Sequence, residues 1–183
     1  MDFDPARHKT EAALTAGLRG LPAAPRDAGR VALIVRRVNG VRETPERVRL
    51  CTEGGVPGDD WTRRPPRDPD AQLAVLRHDV ARLVANGQPL TLFGDNLLVE
   101  LDVSAANLPV GTRLRVGAAR VAMTPKPHNG CAKFRARFGP DALRFVQHAP
   151  TRDQNLRGVY WRVLEPGEVA VGDAIEVLAR GAP

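Results

Sequence analysis

The chain has 183 residues, of which 43% are hydrophobic and 26% charged, a composition that suits one globular domain with a full hydrophobic core. Its 27 lysines and arginines exceed its 21 acidic residues, and the formal net charge of +6 favours a small anionic ligand. Only 4% of the residues are aromatic, and no dense basic stripe or zinc-finger spacing is present, so we do not expect nucleic-acid binding.

No apolar run reaches the roughly 18 residues that a membrane-spanning helix needs. The first residues, MDFDPARHKTEAAL, do not show the basic and then apolar pattern of a secretion signal. We therefore expect a cytoplasmic protein with no membrane partner. Its oligomeric state does not follow from the sequence.

Residues 1–29 are predicted to form an N-terminal helical extension. Thr10 can cap a helix that runs to about Arg19, with Leu14 and Leu18 on one face. Glycines and prolines then interrupt the chain, so the compact domain is expected to cover residues 30–183.

This domain is predicted to be rich in short strands. The apolar or alternating segments that indicate strands are 31–35, 47–52, 71–76, 97–101, 113–116, 120–124, 158–164 and 174–178. Helices are predicted at 77–86 and 140–147, and a proline-rich basic loop at 63–69. Many strands with few helices between them predict a mainly β, α+β fold whose strands close into a barrel.

One of the two cysteines, Cys131, follows a turn-forming run of Pro, His, Asn and Gly at residues 125–130. Lys126, Lys133 and His128 lie within five residues of it, although the chain has only three lysines. Cationic neighbours, among them a protonated His128, favour the thiolate, which is the form that attacks electrophiles, carries sulfur or binds a soft metal. We therefore predict that Cys131 and His128 are catalytic and that the two lysines contact an anionic cofactor.

Four polar or thiol side chains each have two interpretations. The ring of His128 can move protons near neutral pH or only shape its turn. Asn96 can bind a cofactor or stabilise its own turn. Arg157 can clamp a phosphate or carboxylate, or pair with Asp153 or Asp173. Cys51 can act as a second thiol or simply pack in its strand. The histidines and cysteines show no zinc-ligand spacing, so no zinc site is expected.

A series of short motifs occurs in a fixed order along the chain. They are Gly58-Asp59-Asp60-Trp61, Gly94-Asp95-Asn96-Leu97, Val110-Gly111 with Leu114-Arg115-Val116-Gly117, Cys131, Arg157-Gly158, and Pro166-Gly167 with Val171-Gly172-Asp173. Together these motifs resemble the MOSC domain, which is named after the C-terminal domain of molybdenum cofactor sulfurases. The resemblance covers about residues 30–180.

The resemblance implies a β-rich, barrel-like fold and a cysteine, here Cys131, that carries sulfur or ligates molybdenum. It makes the molybdenum cofactor the expected ligand of the candidate cofactor-binding residues Asn96, Lys126, Lys133 and Arg157. A sulfur donor or an external reductant protein is then the expected partner. No Schiff-base lysine of the kind found in the accompanying desulfurase domain can be located among the three lysines, so pyridoxal phosphate is not expected.

Three functions remain open from the sequence. The first is sulfur transfer or binding of the molybdenum cofactor through Cys131. The second is molybdenum-dependent reduction of N-hydroxylated compounds. The third is non-catalytic binding of an anionic metabolite or a partner protein. The first two require the thiol of Cys131 to be at least partly exposed in a basic pocket, with Asn96 and Arg157 nearby.

Overall fold

The computed structural model describes residues 3–63 and 67–182. Its helices are α1 (Glu11–Arg19), α2 (His78–Ala85), α3 (Ala132–Phe138) and α4 (Pro140–Gln147). Its strands are β1 (Ala28–Ile34), β2 (Arg36–Val38), β3 (Val41–Glu43), β4 (Arg47–Leu50), β5 (Leu73–Arg77), β6 (Leu97–Glu100), β7 (Arg113–Val116), β8 (Ala119–Met123), β9 (Val159–Glu165), β10 (Gly167–Ala170) and β11 (Ala174–Ala179). Short 3₁₀ segments cover Pro5–Arg7, Asp60–Arg63, Pro69–Ala71, Leu90–Leu92 and Ala149–Gln154. Part of the predicted proline-rich loop, residues 64–66, lies outside the described residues.

Seven strands close into a barrel in the order β1-β11-β7-β8-β9-β5-β6. Neighbouring strands are antiparallel except β5 and β6, which are parallel because α2 carries the chain across between them. Two further strand pairs, β2 with β3 and β4 with β10, complete the sheet structure described here. The mainly β barrel with a few helices that the sequence predicts is thereby confirmed.

Alternate residues of the strands fill the barrel interior. On β7, Leu114 and Val116 are fully buried, whereas Arg113 and Arg115 are exposed. Trp161 on β9 is the largest fully buried side chain of the described residues. Because a closed barrel has no free edge strand, it holds the loops at its rim in fixed positions, and the site described below is built from such loops.

A second core lies between the barrel and its outer helices. Leu14 of α1 is fully buried in one apolar cluster with Val80 of α2, Phe138 of α3 and Phe145 of α4. The helix starts as predicted, because the side chain of Thr10 accepts a hydrogen bond of 3.2 Å from the amide of Ala13. The predicted boundary between residues 29 and 30 falls inside β1 and stays a prediction.

Three elements differ from the sequence-based expectation. Residues 132–138, for which no helix was predicted, form α3, because Phe134 and Phe138 lie four residues apart and pack on the outer core. The hairpin of β2 and β3 was not predicted, although its Asn39-Gly40 turn is a strong hairpin signal. Strand β10 was also missed, since it has four residues and pairs only with β4.

No helix within residues 3–63 and 67–182 combines the length and the apolar character that crossing a membrane requires.

Replacing Leu14 with alanine tests whether α1 is part of the folded domain. The fully buried side chain should leave a cavity, and its loss should lower the free energy of unfolding by about 2–5 kcal/mol. The control is Val41→Ala, because Val41 is 63% exposed and its change should stay within about 0.5 kcal/mol. Urea denaturation measures both. Equal and small effects of the two changes would show that residues 1–29 form a separate extension.

Candidate functional site: a cationic cavity beside Cys131

A cavity of about 470 Å³ lies between the barrel rim, the β2–β3 hairpin and α3. Five cationic side chains are among its described lining residues: Arg37, Arg42, Lys133, Arg137 and Arg157. The thiol-bearing residue Cys131 lines the same space. Three carboxylate residues also line it, so cations outnumber anions around the cavity. Such a cavity attracts an anionic ligand.

The deepest charged contact of the cavity joins Asp95 and Arg157. The carboxylate of Asp95 is fully buried, and its two oxygens accept hydrogen bonds of 3.0 Å and 2.9 Å from Nη1 of Arg157. Burial raises the pKa of Asp95, and the adjacent guanidinium opposes that shift. The guanidinium also lies over the ring of Phe134, 5.2 Å from its centre. The partner of Arg157 is thus Asp95 and not Asp153 or Asp173, which the sequence suggested, and Arg157 also lines the cavity.

Asn96 is held by hydrogen bonds to the protein. Its amide nitrogen donates to Oδ2 of Asp59 at 3.2 Å, and its amide oxygen accepts from the backbone of Ala74 at 3.1 Å. Asp59 in turn accepts from the backbone amide of Arg37 at 2.8 Å and from its guanidinium at 3.0 Å and 2.5 Å. Asn96 lines the cavity, but these bonds give it a structural role, because it fixes the carboxylate that orients Arg37.

The β2–β3 hairpin brings two arginines to the cavity. Its turn residues, Asn39 and Gly40, both have positive φ (53° and 80°), and their amides donate to the carboxylate of Asp60 at 3.0 Å and 2.9 Å. Arg37 and Arg42 stand directly opposite each other across the two strands. Burial, and then the neighbouring Arg37, lower the pKa of Arg42. Like charges in this arrangement repel each other, and a bound anion would relieve that repulsion.

His128 is buried, contrary to the expectation of a protonated ring beside the thiol. Its side chain is 6% exposed, its ring lies 4.3 Å from that of Tyr160, and its Nδ1 is 3.4 Å from Oδ1 of Asp95. Burial, followed by the charges of Arg157 and Arg37, holds the pKa of His128 well below its usual range. The ring is therefore neutral near neutral pH, and it cannot favour the thiolate as a cation.

Cys131 is exposed and immediately precedes α3 as its N-cap residue. Its carbonyl oxygen accepts the amide of Arg135 at 3.0 Å, so the first turn of the helix fixes its backbone. Lys133, two residues on, lines the cavity. Lys126 is not among the described lining residues of this cavity. Its ammonium pairs with Asp68, and it lines a second cavity of about 200 Å³. The structure thus brings Cys131, His128, Asn96, Lys133 and Arg157 to one cavity and places Lys126 outside it.

The second cysteine does not belong to this site. Cys51 is partly buried, forms an isolated β-bridge with Gly55, and is absent from the described lining of the cavity. Within residues 3–63 and 67–182, no three His, Cys, Asp or Glu side chains come together in a way that could hold a metal ion.

Among the lining residues not identified from the sequence are Asp95, Arg37, Arg42 and Arg137. Asp95 lies in the quoted Gly-Asp-Asn-Leu motif, but only its neighbour Asn96 was chosen. Arg37 and Arg42 flank the Asn39-Gly40 signal symmetrically, which would have placed them side by side. Arg137 lies on the missed helix α3, where its Nη1 donates to the carbonyl of Leu92 at 2.7 Å.

Replacing Asp95 with alanine should lower the free energy of unfolding by about 3–5 kcal/mol, because the Arg157 guanidinium would stay buried without its counter-ion. Glu165→Ala is the matched control. Glu165 pairs with Arg120 at 3.3 Å, and both side chains are more than half exposed, so its loss should cost at most about 1 kcal/mol. Urea denaturation measures the free energy of unfolding of both variants. Similar decreases in the two would show that the pair of Asp95 and Arg157 does not stabilise the fold.

Comparisons with known proteins are consistent with this architecture. The YuaD protein from Bacillus subtilis has a TM-score of 0.60 at 18% identity, over 85% of this chain and 98% of that one. YiiM from Escherichia coli has a TM-score of 0.56 at 20% identity, over 84% and 72% of the two chains. YiiM from Geobacillus stearothermophilus has a TM-score of 0.53 at 18% identity, over 88% and 77%. At sequence identities of 18–20%, the structural similarity shows a shared fold alone.

No curated protein shows significant sequence similarity to the chain. The family model of the MOSC domain, however, matches residues 67–176, which include β5 to β9, Asp95, Cys131 and Arg157. The motifs, the closed barrel and this match lead to one conclusion: the chain belongs to the MOSC domain family.

Proposed function

We propose that the cavity binds the molybdenum cofactor, an anionic pterin phosphate, and that Cys131 is the thiol that carries sulfur to the cofactor or ligates its metal. The observation that supports this proposal is that an exposed cysteine shares one cavity with five cationic side chains. When bound, the cofactor would supply the metal-centred redox or sulfur-accepting chemistry that protein side chains lack.

The residues present fit such a ligand in size and chemistry. A volume of about 470 Å³ lies within the range of pockets for small organic ligands. A thiolate is a suitable donor for a soft metal. Nε of Arg157 is buried and has no hydrogen-bond partner among the described residues, so it is a donor that a ligand oxygen could satisfy.

The cations of the cavity would bind the phosphate of the ligand. The guanidinium of Arg157 is already oriented by Asp95, and that of Arg37 by Asp59, so little side-chain entropy is lost when a ligand arrives. Arg42 lies opposite Arg37, and a phosphate between them would offset their mutual repulsion. Lys133 lies two residues from the thiol and would attract the anionic group toward it.

Sulfur transfer requires a donor that carries a persulfide, and an external donor protein is the partner we propose. The thiolate of Cys131 would attack the outer sulfur of that persulfide. A new sulfur–sulfur bond forms on Cys131, the old one breaks, and the donor leaves as a thiolate, so electrons balance without an added oxidant. The exposure of Cys131 permits the contact between the two proteins that this step needs.

The experiment is to purify the protein from cells that make the cofactor and to measure molybdenum content and added sulfur on Cys131. We expect molybdenum, a persulfide, or both in the wild type, and neither in Cys131→Ser. Cys51→Ser is the matched control, because Cys51 is absent from the described lining of the cavity, and it should keep whichever of the two the wild type carries.

The outcome also separates the alternatives. Stoichiometric molybdenum that depends on Cys131, without persulfide, would favour the reduction of N-hydroxylated compounds, and a persulfide without metal would favour sulfur transfer. A Cys131→Ser variant that matches the wild type in both measurements would overturn the proposal and leave non-catalytic binding of an anion or a protein.

A further inference from the structure

The segment that carries the thiol, residues 125–131, is held by few contacts. It connects β8 to α3 and pairs with no strand. Its side chains are exposed at Lys126, Asn129 and Cys131, and its two prolines are exposed as well. Apart from those of His128, two polar side-chain contacts from outside are described, and both are exposed: Lys126 with Asp68, and Nε2 of Gln147 with the carbonyl of Gly130 at 3.3 Å. Gly130 also packs closely against Leu143 of α4. Exposed contacts of this kind contribute little to stability.

His128 is the exception, because its imidazole is inserted into the barrel wall. The ring packs against Tyr160 of β9, and Nδ1 faces Asp95 at 3.4 Å. Gly158 lies close to the ring: a Cβ there would clash with the carbonyl oxygen of Val75 and come 3.1 Å from Nδ1 of His128, and its φ of +103° favours glycine. Tyr160, Asp95 and Gly158 thus form a fitted site for one ring, three residues before Cys131.

We propose that His128 is the positioning residue of Cys131: its buried, neutral imidazole anchors residues 125–131 to the barrel wall, and protonation of the ring releases the anchor. The assignment of a chemical role to Cys131 rests on the proposed function, but the anchoring does not. A positioning role also differs from proton transfer, since it needs the shape of the ring and not its ability to exchange a proton.

The charges around the ring explain why only the neutral form fits. Asp95 is the one carboxylate that the described contacts place against it, and that carboxylate already binds Arg157. Burial, and then the charges of Arg157 and Arg37, disfavour a positive charge on the ring, and the ring of Tyr160 packs against it at a tilt. Lys126 of the same segment pairs with Asp68, and Lys133 of α3 lines the main cavity. A protonated ring would therefore be more stable in water than in this site.

The sign of the pH effect follows from the lowered pKa of His128. A group whose pKa is depressed in the folded state contributes its full stabilisation above its ordinary pKa of about 6.5 and loses it as the pH falls. Below that pH, the equilibrium for opening the anchor should rise by up to about tenfold for each pH unit, because one proton is taken up on release.

Hydrogen–deuterium exchange of residues 125–134 tests the proposal on the protein without ligand. At pH 7, His128→Ala should raise the exchange of this segment by about tenfold or more, because it removes the buried ring. His128→Phe keeps a flat ring that can stack on Tyr160, and it should stay within about threefold of the wild type. Asn129→Ala is the matched control on an exposed neighbour and should change nothing. No increase in His128→Ala, or equal increases in the Ala and Phe variants, would overturn the proposal.

A second measurement does not depend on the folding of the alanine variant. Exchange is followed in the wild type and in His128→Phe from pH 7 to pH 5 and is corrected for the intrinsic pH dependence. We expect the segment to open with falling pH in the wild type and to show no such trend in His128→Phe. A pH-independent wild type would overturn the protonation step.

The same variants keep this inference separate from the proposed function. If His128→Phe retains the molybdenum or persulfide of the wild type while His128→Ala loses it, the ring acts by positioning Cys131. If His128→Phe shows the hydrogen exchange of the wild type but loses the molybdenum or persulfide, His128 acts on the ligand directly, and a role in positioning alone is overturned. If neither the wild type nor any variant carries molybdenum or a persulfide, but hydrogen exchange changes as expected, the anchoring role of His128 stands and the proposed function fails.

Discussion

The buried ion pair of Asp95 and Arg157 is the interaction on which the rest of the site depends. Asp95 lies just before β6 and Arg157 just before β9, and these two strands flank β5 in the barrel. The pair therefore joins the two loops that lead into the neighbours of β5 on either side. Arg157 also covers Phe134 of α3, and Asp95 faces His128. One pair thus connects the barrel, the helix that follows Cys131 and the segment that precedes it. Because its desolvation is costly, the pair is stable only while both partners stay in place.

The electrostatics of the cavity follow from how each cation is held. Arg37, Arg137 and Arg157 are each oriented by a hydrogen bond to the protein, and Arg42 stands opposite Arg37 on a short hairpin. Repulsion among these cations opposes the folded state and favours a bound anion, which is a common arrangement at binding sites. The hairpin lies outside the part of the chain that the family model matches, residues 67–176. The cationic character of this cavity is therefore partly a property of the N-terminal segment of this chain.

The sequence predicted the fold well and the site in part. The strands could be predicted because the apolar or alternating segments that indicate them are local in sequence, and many short strands indicate a barrel. Helix α4 was identified by the proline at its first position. Cys131 could be selected because a cysteine in a polar turn is unusual. His128 was misjudged, because its neighbours in the sequence are polar, whereas the site that buries it is formed by Asp95, Gly158 and Tyr160. The role of Asp95 could not be seen either, since its partner Arg157 lies 62 residues away along the chain.

Alkylation of Cys131 by a charged and a neutral reagent tests most directly whether the thiol and the cations share one site. Rates with iodoacetate and iodoacetamide are measured by mass spectrometry in a Cys51→Ser background at low and at high salt, with free cysteine as the reference. If the thiol lies in the cationic cavity, the rate ratio of iodoacetate to iodoacetamide at low salt should exceed that of free cysteine by about threefold or more. The excess should fall at high salt and in Arg42→Ala. A ratio equal to that of free cysteine at both salt concentrations would contradict the assignment of Cys131 to an anion-binding site.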